Sequence, residues 1–206
     1  MEEPSNIQVI TFDLGEVLVK LNFSKVMGLR KLAIKNLDQS ITSMNHWPLY
    51  DAFERGTVNE TQFLTKLNDE LGTQLSQDAF REVWNSVLEE TVPGMERTLE
   101  KLCRHYRLFA LTNSNETHIN HLFQHYPWTH YFQSVLTSYQ LGCRKPERAI
   151  YEKLITITGV QPQEILFLDD RVENVLGAKE LGIQAELCQK SEIDLPKILR
   201  QYRVHC

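Results

Sequence analysis

Five short apolar segments recur along this chain, and each is bounded by polar or turn residues. IQVITF lies near the N-terminus, and the other four lie in the second half: RLFALT, QSVLTS, EILFLDD and IQAELC. Short segments rich in branched side chains are typical of parallel strands that are buried on both faces. Stretches with helical periodicity alternate with the last four segments. The sequence therefore predicts an α/β fold with a doubly wound parallel sheet.

The segment NETHINHLF is one of these helical stretches. Its residues Ile119, Leu122 and Phe123 fall at helical spacing and predict a buried apolar stripe. We expect the flank of this helix to be solvated, and not to form a metal site, although it carries three histidines: His118, His121 and His125.

Residues 20–92 differ from the rest, because they contain no convincing strand. Two amphipathic helices are predicted there, the first with Asn59 and Gln62 as a capping pair and the second with an apolar stripe from Phe80 to Leu88. About 90 residues thus separate the first strand from the second, whereas a crossover between parallel strands needs only about a dozen. We therefore expect residues 1–19 and 93–206 to form the α/β core and residues 20–92 to form an inserted helical cap.

Polar side chains stand at or just beyond the ends of four predicted strands. They are Asp13, then Thr112 and Asn113, then Arg144 and Lys145, and finally Asp169 and Asp170 with Asn174 one helical turn later. Parallel strands bring their carboxyl ends to one edge of the sheet, where ligands bind in open α/β folds, so the cap would cover these groups. The carboxylates of Asp13 and Asp170 suit Mg²⁺, which prefers oxygen ligands.

The same edge suits phosphoryl chemistry. A hydroxyl, backbone N–H groups and a lysine can offset the charge of a phosphoryl group. An aspartate can attack phosphorus and form an aspartyl-phosphate, which splits one difficult displacement into two easier ones.

In order, spacing and strand context, these motifs resemble those of the haloacid dehalogenase superfamily of phosphatases: FDLGEVL, ALTNS, CRKPE and LFLDDRVEN. The resemblance spans essentially the whole chain and implies a Rossmann-like core with an N-terminal helical cap. FERGTVNETQFL and RKPERAIY are most similar to the branch that includes a bacterial α-glucose-1-phosphate phosphatase and the phosphatase domain of soluble epoxide hydrolases. Together the four motifs are a specific signal, whereas each alone is weak.

The resemblance implies a Mg²⁺-dependent phosphatase and a role for each motif residue. Asp13 would be the nucleophile and a metal ligand, and Lys145 would bind phosphate and steady the nucleophile. The other implied assignments are substrate binding by Thr112 and Asn113, Mg²⁺ ligation by Asp170 and the backbone carbonyl of Gly15, and support from Asp169 and Asn174.

At position 15 the chain departs from the family's pattern, which has a second aspartate there as general acid. Gly15 cannot protonate a leaving oxygen, and general acid–base catalysis contributes about 10²–10⁴-fold. The loss matters least for an acidic leaving group such as the anomeric hydroxyl of a sugar, so we favour a sugar 1-phosphate as the type of substrate. Glu16 offers a carboxylate nearby, but the sequence does not fix its direction.

Three other functions fit parts of the pattern. A binding or scaffold protein would keep the fold with weak or no turnover. A haloacid dehalogenase would use the same nucleophile on carbon without metal, although Asp169 and Asp170 favour metal and phosphate. A receiver-type signalling domain also combines Asp, Thr and Lys, but the long insertion and the order of the motifs argue against it.

Composition bears on the partners and the compartment. The formal net charge of −5 gives no basic footprint for nucleic acid, so a small phosphorylated metabolite is the expected partner. The N-terminus lacks the features of a secretory signal, and no apolar run approaches the ~20 residues of a membrane span. The four cysteines form no CxxC pair. We therefore expect a cytoplasmic protein with reduced thiols and no membrane partner.

Overall fold

The computed structural model describes residues 6–24, 26 and 47–205. Its strands are β1 (Val9–Phe12), β2 (Val19–Leu21), β3 (Leu88–Thr91), β4 (Arg107–Thr112), β5 (Ser134–Thr137), β6 (Ile165–Asp169) and β7 (Gln184–Leu187). Five of them form a parallel sheet in the order β5-β4-β1-β6-β7. The chain winds outward in both directions from β1, so the predicted doubly wound sheet and its five predicted strands are confirmed.

Helices fill the connections. They are α1 (Pro48–Glu54), α2 (Glu60–Leu71), α3 (Gln77–Asn85), α4 (Met95–Leu102), α5 (Glu116–His125), α6 (Ser138–Leu141), α7 (Arg148–Thr158), α8 (Val172–Lys179) and α9 (Ser191–Gln201). The predicted capping pair is present at the start of α2, where Asn59 and Gln62 each accept a hydrogen bond from the other's backbone N–H. Within the described ranges, none of the helices has the length and apolar character needed to cross a bilayer.

The sheet is buried between two apolar layers because its side chains alternate between the two faces. Ile10 and Phe12 of β1 pack into the cluster that also contains side chains from α4, α5 and α9. Val9 packs on the other face, in the cluster that contains side chains from α7 and α8. With both faces covered, the carboxyl edge of the sheet is where the core can receive a ligand.

A third apolar cluster lies within the inserted segment and consists largely of aromatic residues from α1, α2 and α3. Phe63 is at its centre, with its ring centroid 4.3 Å from that of Phe53 and 4.9 Å from that of Trp84. These rings pack the three helices against one another, so the inserted segment has its own core.

The prediction that residues 20–92 lack strands was wrong. β2 and β3 pair antiparallel, with Val19 opposite Thr91 and Leu21 opposite Leu88. Helix α3 ends at Asn85, so Leu88 lies in β3 and does not extend the helical stripe. This two-stranded antiparallel ribbon, called the β2–β3 ribbon below, lies where the chain leaves the core after β1 and where it returns.

Candidate active site

The polar residues predicted from the strand ends surround one cavity of about 420 Å³. The predicted residues that line it are Asp13, Gly15, Thr112, Asn113, Lys145, Asp170 and Asn174. They come from the carboxyl ends of β1, β4 and β6, from the loop that follows α6 and, for Asn174, from α8. The β2–β3 ribbon contributes an apolar wall, and α1 of the cap contributes polar residues.

Lys145 is the centre of the charged network. Its ammonium nitrogen lies 2.8 Å from Asp13 Oδ1 and 2.6 Å from Asp169 Oδ2, and the side chain is buried. The backbone of Lys145 is fixed by Asn113, whose Oδ1 accepts its N–H at 2.8 Å and whose Nδ2 donates to its carbonyl at 2.9 Å. Both ends of the Asn113 side-chain amide are thus occupied by the backbone of Lys145.

Asp169 supports this network from behind. Its Oδ2 contacts Lys145, while its Oδ1 accepts hydrogen bonds from the Arg171 N–H and from Asn174 Nδ2, both at 2.9 Å. Asn174 is itself held at its carbonyl by the Tyr151 hydroxyl at 2.8 Å. Asp169 therefore has partners on both oxygens, whereas Asp13 has a partner on one oxygen and the Asp170 carboxylate contacts no side chain of the described residues at hydrogen-bond distance.

The three carboxylates are not balanced by one lysine. Ligand atoms of Asp13, Asp169 and Asp170 lie within 4.8 Å of one another. Burial raises the pKa of Asp13 to about 7 although Lys145 opposes the change. Burial and the charge of Asp169 raise the pKa of Asp170 to about 6. A divalent cation would offset this excess of negative charge, so the residues present fit Mg²⁺.

Two carboxylates hold the pKa of Lys145 above its usual value. Burial alone would lower that pKa, but the charges of Asp13 and Asp169 outweigh it. Lys145 is therefore a permanent cation beside Asp13, which suits a group that orients a nucleophile and binds phosphate.

The space next to Gly15 is filled by Leu21 of the β2–β3 ribbon. A Cβ atom at Gly15 would lie 2.7 Å from Leu21 Cδ1. The Gly15 carbonyl accepts the Val17 N–H at 2.6 Å and keeps a second lone pair for a metal. Glu16, with φ of 57°, turns its carboxylate to strand β2, where Oε1 accepts the Leu21 N–H at 3.0 Å.

His118 lines the cavity, and the prediction of a solvated histidine face was wrong for this residue. Its Nε2 lies 3.0 Å from the carbonyl of Trp84 in the cap, and its Nδ1 lies 3.2 Å from Asn115 Nδ2. Neutral imidazole protonated at Nε2 satisfies both contacts. Phe123, predicted to be buried on the same helix, is 55% exposed.

The sequence reasoning also missed the contribution of α1. Arg144 Nη1 lies 2.8 Å from Asp51 Oδ1, and Arg144 Nη2 lies 2.8 Å from Glu54 Oε2. Arg55 Nη2 lies 2.6 Å from Glu147 Oε1. These pairs tie α1 to the loop that carries Lys145. A possible signal was the i, i+4 spacing of Tyr50 and Glu54, which places both on one helix face.

Curated and solved proteins resemble the chain over most of its length. A D-ribitol-5-phosphate phosphatase of Bacteroides thetaiotaomicron is 26% identical over 185 residues, which is 86% of this chain and 90% of that protein. The structure of a HAD-like hydrolase from Porphyromonas gingivalis superposes with a TM-score of 0.85 at 28% identity and covers 97% of this chain and 99% of its own.

A further structure shows a related enzyme with ligands. The wild-type HAD family enzyme of Bacteroides thetaiotaomicron, in complex with magnesium and inorganic phosphate, superposes with a TM-score of 0.76 at 25% identity, over 88% of this chain and 93% of its own. Residues 7–182 match the family described as haloacid dehalogenase-like hydrolase. This match spans four of the five strands of the sheet and all four strand-end motifs, and the chain belongs to the haloacid dehalogenase-like hydrolase family.

Proposed function

We propose that the protein is a Mg²⁺-dependent phosphatase that hydrolyses a small phosphate ester through an aspartyl-phosphate on Asp13. The observation that carries the proposal is the pairing of Asp13 with buried Lys145 at a cavity, with the carboxylates of Asp169 and Asp170 in the same cluster. The names of the relatives and the magnesium and phosphate bound by a related enzyme support it.

In the first half-reaction, a carboxylate oxygen of Asp13 attacks phosphorus, and the bond between phosphorus and the alcohol oxygen breaks. Lys145 orients Asp13 and, with Thr112 and the backbone N–H groups of the β4 loop, offsets the charge on the phosphoryl oxygens. The departing alkoxide takes its proton from solvent or from a neighbouring acid. When bound, Mg²⁺ would be held by Asp13, Asp170 and the Gly15 carbonyl and would add positive charge at the phosphoryl group.

In the second half-reaction, water attacks phosphorus and loses a proton to solvent. The bond between phosphorus and the Asp13 oxygen breaks, so that inorganic phosphate leaves and the Asp13 carboxylate is restored. Asp169 and Asn174 keep Lys145 and the α8 end of the site in place throughout. Asn113 acts through Lys145, since its amide holds the lysine backbone.

The favoured substrate is a sugar 1-phosphate or an ester whose leaving group is similarly acidic. Gly15 supports this choice because it has no side chain to protonate the leaving oxygen. The ribitol phosphate of one relative has a primary alcohol as leaving group, so both ester types belong in the test.

The experiment is a panel of phosphate esters with Mg²⁺, including sugar 1-phosphates and ribitol 5-phosphate, for the wild type and Asp13→Asn. We expect turnover by the wild type and less than a few per cent of it in the variant, which keeps its fold by circular dichroism. Activity that survives in Asp13→Asn would overturn the assignment of Asp13 as the nucleophile. Beryllium fluoride binding without turnover of any ester would favour the scaffold alternative, and ester hydrolysis at unchanged rates in excess EDTA would rule out the metal-dependent mechanism.

A further inference from the structure

Ser138, the first residue of α6, lies between the cap and the loop that follows β4, and the proposed reaction does not use it. Its side chain is completely buried, and it is not among the residues that line the cavity. We propose that Ser138 is a positioning residue, whose hydroxyl holds the loop of residues 112–114 in the geometry that binds a phosphoryl group and ties that loop to the docked cap. The proposal rests on the proposed phosphatase function and adds the residue that couples the cap to the phosphate site.

The hydroxyl of Ser138 contacts both backbone groups of Ser114. Its oxygen accepts the Ser114 N–H at 3.0 Å and lies 3.0 Å from the Ser114 carbonyl oxygen. Ser114 lines the cavity together with Thr112 and Asn113, which precede it. Because a peptide unit is planar, the bond to the Ser114 N–H also fixes the carbonyl of Asn113. Ser138 therefore holds the loop by its backbone, from outside the cavity.

Asn113 carries this constraint to the charged network. Its side-chain amide is bonded at both ends to the backbone of Lys145, and the Lys145 ammonium lies 2.8 Å from Asp13 Oδ1. A shift of the Asn113 peptide unit would displace Lys145 as well as Thr112, the residue that precedes Asn113. The two side chains that the proposed reaction uses to bind phosphate thus depend on the same short stretch of backbone.

The cap supplies the other partner of Ser138. The Ser138 hydroxyl oxygen lies 2.6 Å from the carbonyl oxygen of Glu54, the last residue of α1. The last carbonyls of a helix have no partner within the helix, so this one needs a donor from elsewhere. A serine hydroxyl has a single proton, and its contact with Glu54 is shorter than that with the Ser114 carbonyl. Ser138 therefore donates to the cap, which turns a lone pair of its oxygen to the Ser114 N–H.

Gly56 of the FERGT motif lets α1 come close enough for this contact. A Cβ atom at Gly56 would lie 2.2 Å from the carbonyl oxygen of Tyr139, the residue after Ser138. The φ of Gly56 is 67°, a conformation that also favours glycine. The approach of α1 to α6 thus depends on a missing side chain two residues after Glu54.

The test measures the binding of inorganic phosphate in the presence of Mg²⁺, by titration calorimetry well below the unfolding midpoint of each variant. We expect Ser138→Ala to weaken phosphate binding about tenfold, because the loop loses its acceptor. Thr129→Ala is the matched control, since Thr129 is buried, donates to the Tyr126 carbonyl at 2.8 Å and does not line the cavity. It should also lose stability, but it should bind phosphate like the wild type.

Gly56→Ala tests the coupling to the cap without changing Ser138 or the cavity lining. Its added Cβ atom should push α1 away from α6 and weaken phosphate binding about fivefold. Gly72→Ala is the control, because Gly72 ends α2 with φ of 62° and a Cβ atom there meets no atom within 4 Å. It adds backbone strain without contact with the core and should keep the wild-type affinity. The variant with both Ser138→Ala and Gly56→Ala should bind at most about twofold more weakly than Ser138→Ala, because both changes break one link.

Unchanged phosphate affinity in Ser138→Ala would overturn this inference and leave the proposed function standing. An equal loss in Thr129→Ala would show a general effect of destabilisation and would overturn it as well. Gly56→Ala keeps the test valid if Ser138→Ala does not fold, and wild-type affinity there, or losses that multiply in the double variant, would overturn the coupling to the cap. A wild-type protein that binds no phosphate would overturn the proposed function and this inference with it.

Discussion

At the scale of single residues, the absence of a side chain at Gly15 lets Leu21 pack against the backbone there. Leu21 Cδ1 occupies space that a Cβ atom at position 15 would need, at 2.7 Å. The obstacle is the far end of a flexible side chain and not backbone, so it can move at modest cost. The position therefore remains open to an acidic side chain if Leu21 changes rotamer.

We expect Gly15→Asp to speed hydrolysis of esters with poor leaving groups more than that of aryl phosphates. A carboxylic acid there would protonate the departing oxygen, for a gain of up to about 10²–10⁴-fold. Displacing Leu21 should cost about 1–3 kcal/mol of unfolding free energy. The measurement is the slope of log rate against leaving-group pKa, which should become shallower.

Gly15→Ala is the control for this prediction, because it adds the same Cβ atom without a carboxyl group. It should lose similar stability and leave the slope unchanged. Equal slopes for wild type and Gly15→Asp would show that another group already protonates the leaving oxygen.

At the scale of elements, His118 joins α5 of the core to α3 of the cap through the Trp84 carbonyl. Burial lowers its pKa from 6.5 to about 4. Between these values the unfolded chain binds more protons than the folded protein, so acid favours unfolding. The contribution of His118 to the free energy of unfolding is therefore complete above about pH 6.5 and is lost as the pH falls toward 4. Over this range the free energy of unfolding changes by up to about 1.4 kcal/mol per pH unit.

We expect His118→Gln to flatten the loss of unfolding free energy between pH 6.5 and 4.5, since glutamine offers a donor and an acceptor without titrating. The difference from wild type should reach about 2 kcal/mol at pH 4.5. Denaturant unfolding at a series of pH values measures it. His125→Gln, at an exposed position of the same helix, should keep the wild-type slope. The same dependence of unfolding free energy on pH in wild type and His118→Gln would contradict the prediction.

The central strands β1, β4 and β6 could be predicted from sequence because they are buried on both faces and their side chains are mostly apolar. β3 could not, because LEET has two exposed glutamates and no clean alternation. It is a strand because its backbone pairs with β2, a contact between residues far apart in sequence. The burial of His118 and the exposure of Phe123 were also not predicted. Helical periodicity does not show that the cap covers one side of α5.

At the scale of the whole molecule, the acidic cluster should link metal binding to stability. The folded-state pKa of Asp13, about 7, and that of Asp170, about 6, exceed the value of 3.8 usual for aspartate. Without metal, the folded protein therefore binds more protons than the unfolded chain, and these two groups reduce stability as the pH rises from about 4 to 7. Metal ligands must be deprotonated, so Mg²⁺ should bind more tightly over the same rise.

We expect saturating Mg²⁺ to raise the midpoint of thermal unfolding, and to raise it more at pH 8 than at pH 5.5. At a free Mg²⁺ concentration of 100 times the dissociation constant, the gain in unfolding free energy is about 2.7 kcal/mol. Asp170→Ala should abolish both the Mg²⁺ shift and Mg²⁺-dependent turnover. A wild-type shift that is equal at the two pH values, or that survives in Asp170→Ala, would contradict this assignment of ligands.

The half of the site that belongs to the core could be predicted because its residues stand at strand ends, and a parallel sheet brings strand ends together whatever lies between them. The half that belongs to the cap could not. Tyr50 and Glu54 reach the cavity only because α1 packs on the Lys145 loop, and the helical pattern of α1 gives no direction to that packing.

The ion pairs between α1 and the loop at 144–147 also bear on how such a protein could be re-engineered. Asp51, Glu54 and Arg55 are matched to Arg144 and Glu147, which are far away in sequence and adjacent to Lys145. A chimera that received only residues 20–92 from a relative would set unmatched charges against that loop and disturb Lys145. The unit that can be exchanged between enzymes of this kind is therefore discontinuous: the cap together with the four-residue loop.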